Sequence, residues 1–193
     1  MENGHLGKAH WLRAARLALL HGGPAGVRIE QLARDLKVTK GSFYWHFRDR
    51  KDLLEALLRE WEDETSSMFA ETAAHGSIRD GLQWLMEEVG RRVVASERGD
   101  MPSDAAMFGW AATAPDVAKR VNRVERERIE FLTRVAGSAD RAQFVYLAYV
   151  GFLMRRRRVR GLNDVFPVVA AQMLALILPP SAPEPKQSRR STG

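Results

Sequence analysis

Apolar residues recur every three or four positions along most of the chain, the spacing of helices with one buried face. Trp11, Leu12, Ala15, Leu19 and Leu20 mark a first helix, which Gly22-Gly23-Pro24 should end. Ile29, Leu32, Ala33 and Leu36 share one face of a short second helix over residues 29–36, and a third is expected over 40–47. Asp49 offers an N-cap, with Asp52 three positions on, ahead of the run Leu53, Leu54, Ala56, Leu57, Leu58 and Trp61. Further helices are predicted over 78–95, 104–112, 115–135, 140–155 and 165–178, with Gly76, Pro115 and Gly137 as punctuation. No segment alternates with the period of a strand, and no internal repeat stands out. The expected fold is all-α. It divides into a unit over residues 1–50, a connecting helix over about 50–74, a larger helical unit over 75–178, and a Pro-, Ser- and Lys/Arg-rich tail over 179–193 expected to be disordered.

Two short helices joined by Lys37-Val38-Thr39, with a longer helix before them, describe a helix-turn-helix. In that arrangement the first short helix braces the DNA backbone while the N-terminal half of the second enters the major groove. Leu32, Ala33, Leu36, Val38 and Phe43 supply the small core that sets the angle between the two, with Ala33 small where they cross. Thr39, Lys40, Gly41 and Ser42 stand at the start of the second helix, where side chains would meet base edges; Gly41 permits close approach of the backbone. Tyr44, Trp45 and His46 follow, and the phenol and imidazole suit phosphate contacts, which position a protein without specifying sequence. Arg50 and Lys51, opening the next helix, add charge and backbone N–H donors for phosphate. Phe43 and Phe47 fall on the apolar face and read as core.

Charge supports this placement. Of the formal +6, residues 1–60 carry 11 basic against 7 acidic side chains, residues 61–178 carry 16 of each, and the last 15 carry 3 against 1. A basic N-terminal unit suits a polyanion, and a neutral middle suits a core or an apolar ligand. Cysteine is absent, which removes disulfides, thiolate metal sites and a Cys nucleophile and fits a reducing cytoplasm. No apolar run approaches the roughly 20 residues of a spanning helix, and residues 1–10 lack the apolar core of a signal peptide.

The stretch from Ile29-Glu30-Gln31-Leu32-Ala33 through Val38-Thr39, Gly41-Ser42-Phe43-Tyr44-Trp45-His46-Phe47 and Asp52-Leu53-Leu54 closely resembles the DNA-binding domain of the tetracycline-repressor (TetR-like) family. The resemblance covers about residues 8–60, under a third of the chain. It implies an all-α homodimer that offers one recognition helix to each half of a palindromic operator in double-stranded DNA. It further implies a small molecule that binds the C-terminal part and releases DNA. Carried over by position, Thr39, Lys40, Gly41 and Ser42 would face bases, while Tyr44, His46 and Arg50 would hold phosphates. Two positions depart from the family pattern. Arg28 stands where a Thr N-cap is common, a loss of ~1 kcal/mol that a phosphate contact from Arg28 could offset. Lys37 stands where Gly is favoured, which costs about 1 kcal/mol if the turn needs positive φ.

The C-terminal half must have its own purpose, since three helices suffice to read DNA. Trp84, Met107, Trp110, Phe131 and Tyr149, with Met86 and Phe108, are large side chains suited to an apolar, even aromatic, effector, or else simply to a core. Residues 144–152 set Ala148 and Gly151 among bulky neighbours, and residues 165–178 are apolar nearly all round, with Gln172 the one polar interruption. Phe144, Ala148, Gly151 and Phe152, with Val169, Met173 and Leu176, are therefore expected at a four-helix dimer interface; burial within one subunit is the alternative. The run Arg155-Arg156-Arg157-Arg158 with Arg160 reads as a solvated loop at a helix C-terminus in preference to a second DNA patch. Lys186, Arg189 and Arg190 are not assigned a DNA contact.

Catalysis finds no support in the residues. Four of the five His fall in the DNA-binding third, and there is no Gly-rich phosphate loop, metal-spaced cluster or nucleophile with a base. Glu125, Glu127 and Glu130, interleaved with Arg123, Arg126 and Arg128, read as a solvated salt-bridged helix face. No cofactor and no metal is expected. The leading expectation is a ligand-responsive cytoplasmic regulator, most often a repressor in that family. The alternative is a constitutive or architectural DNA-binding protein without an effector.

Overall fold

The computed structural model describes residues 6–159 and 161–178, and among them there is no strand. Arg160, His5 and the basic tail residues Lys186, Arg189 and Arg190 lie outside the described residues. The helices run α1 (Lys8–Gly26), α2 (Ile29–Asp35), α3 (Lys40–Phe43), α4 (Arg50–Ala74), α5 (Ile78–Glu97), α6 (Asp104–Ala111), α7 (Pro115–Ala136), α8 (Ala139–Arg156) and α9 (Phe166–Ile177). A 3₁₀ turn, Leu162–Val165, precedes α9.

Most boundaries follow from capping chemistry. Asp49, Ser77, Ser103 and Ser138 each accept a hydrogen bond from a backbone N–H in the first turn of the helix they open. Gly137, in the left-handed region at φ 62°, closes α7. The first helix does not stop at Gly22-Gly23-Pro24 as expected. Gly23, at φ 61° and ψ −166°, kinks it, and one further turn continues to Gly26. Pro24 tolerates this because it opens that last turn, where its missing N–H costs nothing.

Among the described residues there are three apolar cores, of which the two largest organise the fold. One gathers Trp11, Ala15, Leu19, Val27, Leu32, Phe43, Phe47, Leu53, Leu57 and Trp61 from α1–α4, and continues without a break into Met107 and Trp110 of α6 and Val117, Val121 and Val124 of α7. The other joins α4, α5, α7, α8 and α9 around Met68, Leu82, Leu85, Leu132, Val145 and Met173. Between them, α1 is clasped to the loop after α5. Arg16 donates to the Gly99 carbonyl at 2.6 Å and pairs with Glu60, and Arg13 meets Asp100 at 2.8 Å. Gly99 is required there: it holds φ 73°, and a Cβ would lie 2.8 Å from the Arg13 carbonyl oxygen.

Three expectations are corrected. Residues 155–158 are not a uniformly solvated run: Arg156 is buried and pairs with Glu97 at 2.8 Å, and Arg157 donates to the Leu20 carbonyl of α1 at 2.6 Å. Arg128, placed on a solvated face of α7, is only 5% exposed. Phe152 and Met173, expected at an outer interface, face the subunit interior, where Phe152 packs on Phe166 at 5.0 Å between ring centroids. Their neighbours on the same helices divide otherwise. Phe144 is 62% and Val168 63% exposed, Gly151 and Leu176 are exposed, and Ala148 and Val169 are half-buried.

Candidate nucleic-acid interface

The helix-turn-helix is held from beneath by aromatic packing. Phe43 is fully buried, edge-on to Trp11 at 5.3 Å and stacked with Phe47 at 5.4 Å. That anchor fixes α3 so that everything beside Phe43 on its outer side faces away from the core. Helix α3 itself is shorter than predicted: after Phe43 the chain continues as a hydrogen-bonded turn, with Tyr44 N–H on the Gly41 carbonyl and His46 N–H on the Phe43 carbonyl.

The turn before it takes the left-handed conformation that the sequence raised as a question. Lys37 has φ 56°, the one non-glycine with positive φ among the described residues. Arg28 occupies the N-cap of α2, and its side chain makes no capping bond. Both departures are therefore real features of the backbone, and both carry a local cost of about 1 kcal/mol.

Thr39, Lys40 and Gly41 are exposed, with Ser42 half-buried beside them. Tyr44 is 53% and Trp45 79% exposed. Two consecutive aromatic side chains are thus left open to solvent just after α3. Lys40 reaches back to Glu30 of α2 at 2.5 Å, which holds the Glu30 carboxyl below its usual range, first through that hydrogen bond and then through charge. Arg28 and Lys51 are exposed on the same unit.

Two expected phosphate donors are engaged elsewhere. Arg50 donates through Nε to the Val27 carbonyl at 2.6 Å and through its terminal nitrogen to the Pro24 carbonyl, so it ties the start of α4 to the α1–α2 connection. His46 Nε2 lies 2.9 Å from the Leu6 carbonyl. These side chains position the recognition unit, and the sequence had no way to reveal partners 23 and 40 residues distant.

Residues 12–57 match the family model for bacterial regulatory proteins of the tetR family. The N-terminal unit belongs to the tetR family. The chain is thus a DNA-binding transcriptional regulator, with its TetR-family helix-turn-helix presented on an all-helical C-terminal part.

Within that C-terminal part, the structure separates the large side chains singled out from sequence. Met107 and Trp110 belong to the core shared with the TetR-family domain. Trp84 lies against the His75 ring at 5.2 Å, and Phe131 against Phe69 at 4.9 Å. Of the five, Tyr149 lines two adjoining, partly open cavities. One, of about 50 Å³, is bounded by Trp61, Thr65, Asp104, Arg128, Tyr149 and Arg156. The adjoining one, of about 60 Å³, is apolar, and shares Met68, Val89, Arg128 and Tyr149 with the first.

Asp104 is the centre of the polar wall, and sequence reasoning missed it. Its carboxylate accepts from Trp61 Nε1 at 2.5 Å, from both terminal nitrogens of Arg128 at 2.6 and 3.0 Å, and from the Tyr149 hydroxyl at 2.7 Å. Burial pushes this carboxyl upward, but the Arg128 charge and the three sets of hydrogen bonds outweigh it and hold it below the usual carboxylate range. Burial and the same carboxylate push the Tyr149 hydroxyl well above the ordinary phenol range, so it stays a proton donor. A signal for Arg128 was present. It stands in register with Val117, Val121, Val124 and Leu132 on the buried face of α7, where a charge must find a partner.

Proposed function

We propose that this TetR-family regulator is a cytoplasmic, ligand-responsive repressor that binds a palindromic operator as a homodimer and releases it when a small molecule occupies the C-terminal cavity. The observation that carries the reading is the continuity between cavity wall and DNA-binding unit. Asp104, which bounds the cavity, opens α6, and α6 packs on α1 through the shared core. A ligand that rearranges the Asp104 network thereby acts on the helix that carries the recognition unit.

The dimer reading rests on α8 and α9, which pack on one another. Phe144, Leu147 and Gly151 on α8, with Val165 at the start of α9 and Val168 and Leu176 on it, form exposed, mostly apolar stripes at helical spacing. Such stripes on adjacent helices suit a self-complementary contact with a second copy of the chain. Thr39 to Ser42 read bases in this proposal, Tyr44 and Trp45 meet the DNA backbone or groove wall, and Arg28 and Lys51 contribute charge.

Selection of bound fragments from random DNA should return two inverted half-sites, and sedimentation should show a dimer. A thermal-shift screen on the same protein should find compounds that raise the melting temperature and weaken operator binding. A single unpaired half-site with a monomeric protein would overturn the dimer. Binding of operator that no stabilising compound alters would return the protein to a constitutive role.

A further inference from the structure

The polar cavity differs from an ordinary core void in what its walls leave unsatisfied. Arg128 and Arg156 both line it, both are more than nine-tenths buried, and the Nε–H of each lacks a partner. Buried guanidinium donors are costly to leave unmatched, and two at one cavity mark a place where acceptors are missing. The acceptor already present cannot serve both. Asp104 takes four hydrogen bonds, which fills the lone-pair capacity of a carboxylate. Arg156 has one carboxylate, Glu97, which is itself 46% open to solvent.

The same saturation argues against a cationic ligand. Asp104 has no lone pair to offer, and the Trp61 ring that would face a cation is covered by the Arg128 guanidinium at 5.4 Å. Three arginines line the cavity (Arg92, Arg128 and Arg156) against two carboxylates, Asp104 and Glu64, of which Glu64 is held by Arg92 at 2.9 Å. Next to this donor-rich wall lies the apolar cavity, with Phe69, Leu85, Leu132, Val145 and Met173 among its walls. Methionines at 68, 86 and 173 give it room to adapt.

We propose that the effector is a small amphipathic monocarboxylate, a short acyl chain or a single aromatic ring ending in an acid. The Nε–H groups of Arg128 and Arg156 are enclosed as they stand, and the two guanidiniums turn to donate them to the effector's carboxylate while its apolar body fills the adjoining cavity. Carboxylates are matched to guanidinium forks, and such bonds are shorter and stronger than neutral ones. Once Arg128 turns toward the ligand, its hold on Asp104 at the start of α6 loosens. This rests on the ligand-responsive reading above and names the chemistry of that site.

The test is a charge series at fixed size: phenylacetate, 2-phenylethanol and 2-phenylethylamine, with hexanoate, hexanol and hexylamine beside them. Melting temperature and operator retention are measured on the same samples of full-length protein. The carboxylates should act at concentrations at least about tenfold below their alcohol and amine partners. Arg156→Gln, whose pairing loss is softened by the solvent-open Glu97, should weaken the carboxylates about tenfold and leave the alcohols unchanged. Alcohols or amines that match or surpass the acids would overturn the ligand class while leaving the regulator reading intact. Silence from all six compounds also overturns it. Carboxylates that stabilise the protein without releasing operator uphold the ligand class and sink the regulatory role.

Discussion

The two ends of this molecule treat charge in opposite ways. Around α1–α3 the buried residues are hydrophobic, with Trp11 Nε1 an enclosed polar atom among them, and Lys40, Tyr44 and Trp45 all face solvent. In the C-terminal part α8 and α9 carry exposed apolar stripes, while Arg128, Arg156 and Asp104 sit inside. The difference fits the work proposed for each region. A unit that reads DNA meets its partner on the surface, so its core can be optimised for packing alone. On the ligand-responsive reading proposed above, the C-terminal part would meet a small molecule in its interior, and must keep hydrogen-bonding groups there despite their cost.

The sharpest way to break this contrast is to remove the buried cation. Arg128→Met leaves Asp104 without its main partner and should destabilise the protein by about 3–5 kcal/mol in urea unfolding. Replacing both residues by apolar ones should recover most of that loss; a single variant as stable as wild type would show the pair to be unimportant. The same pair predicts an acid response. Because the folded pKa of Asp104 lies below the unfolded value of about 3.9, its stabilisation is present above that pH and disappears as pH falls through the folded value. Asp104→Asn should flatten that step in a pH series of unfolding midpoints.

On the DNA side the effects are smaller and fall on binding instead of folding. Lys40→Ala should relax preference at one operator position at a cost of about 1–3 kcal/mol, whereas Tyr44→Phe should weaken all sequences alike. Both should melt near wild type, since neither side chain is buried. If either variant lost operator binding only because it unfolded, the division between the two regions would fail. Affinity should also drop steeply with salt, as counterion release requires.

The smallest predicted effect concerns the turn. Lys37→Gly removes a side chain from a left-handed residue and should stabilise the protein by about 1 kcal/mol, read as a shift in the unfolding midpoint. No gain would mean that the Lys37 side chain makes a compensating contribution in solution.

The N-terminal unit was legible in its sequence because its determinants are local. Helical spacing, the Asp49 cap and the Lys37-Val38-Thr39 turn sit within a few residues of one another, and the core positions Leu32, Phe43 and Phe47 declare themselves by hydrophobicity. The all-helical fold of the remainder was equally readable from periodicity. What escaped was pairing across long separations. Asp104 meets Trp61 from 43 residues away and Tyr149 from 45, and Arg157 meets the Leu20 carbonyl from 137.

By itself, then, the sequence determined the helices and the helix-turn-helix, because local propensity and one-sided burial are written into residue spacing. Only the tertiary structure decided which arginines are buried, which face of α8 and α9 is left open, and that Arg50 and His46 turn inward to brace the recognition unit. A charged residue looks the same in sequence whether it is solvated or paired in the interior. Its role is set by the partner that folding brings to it.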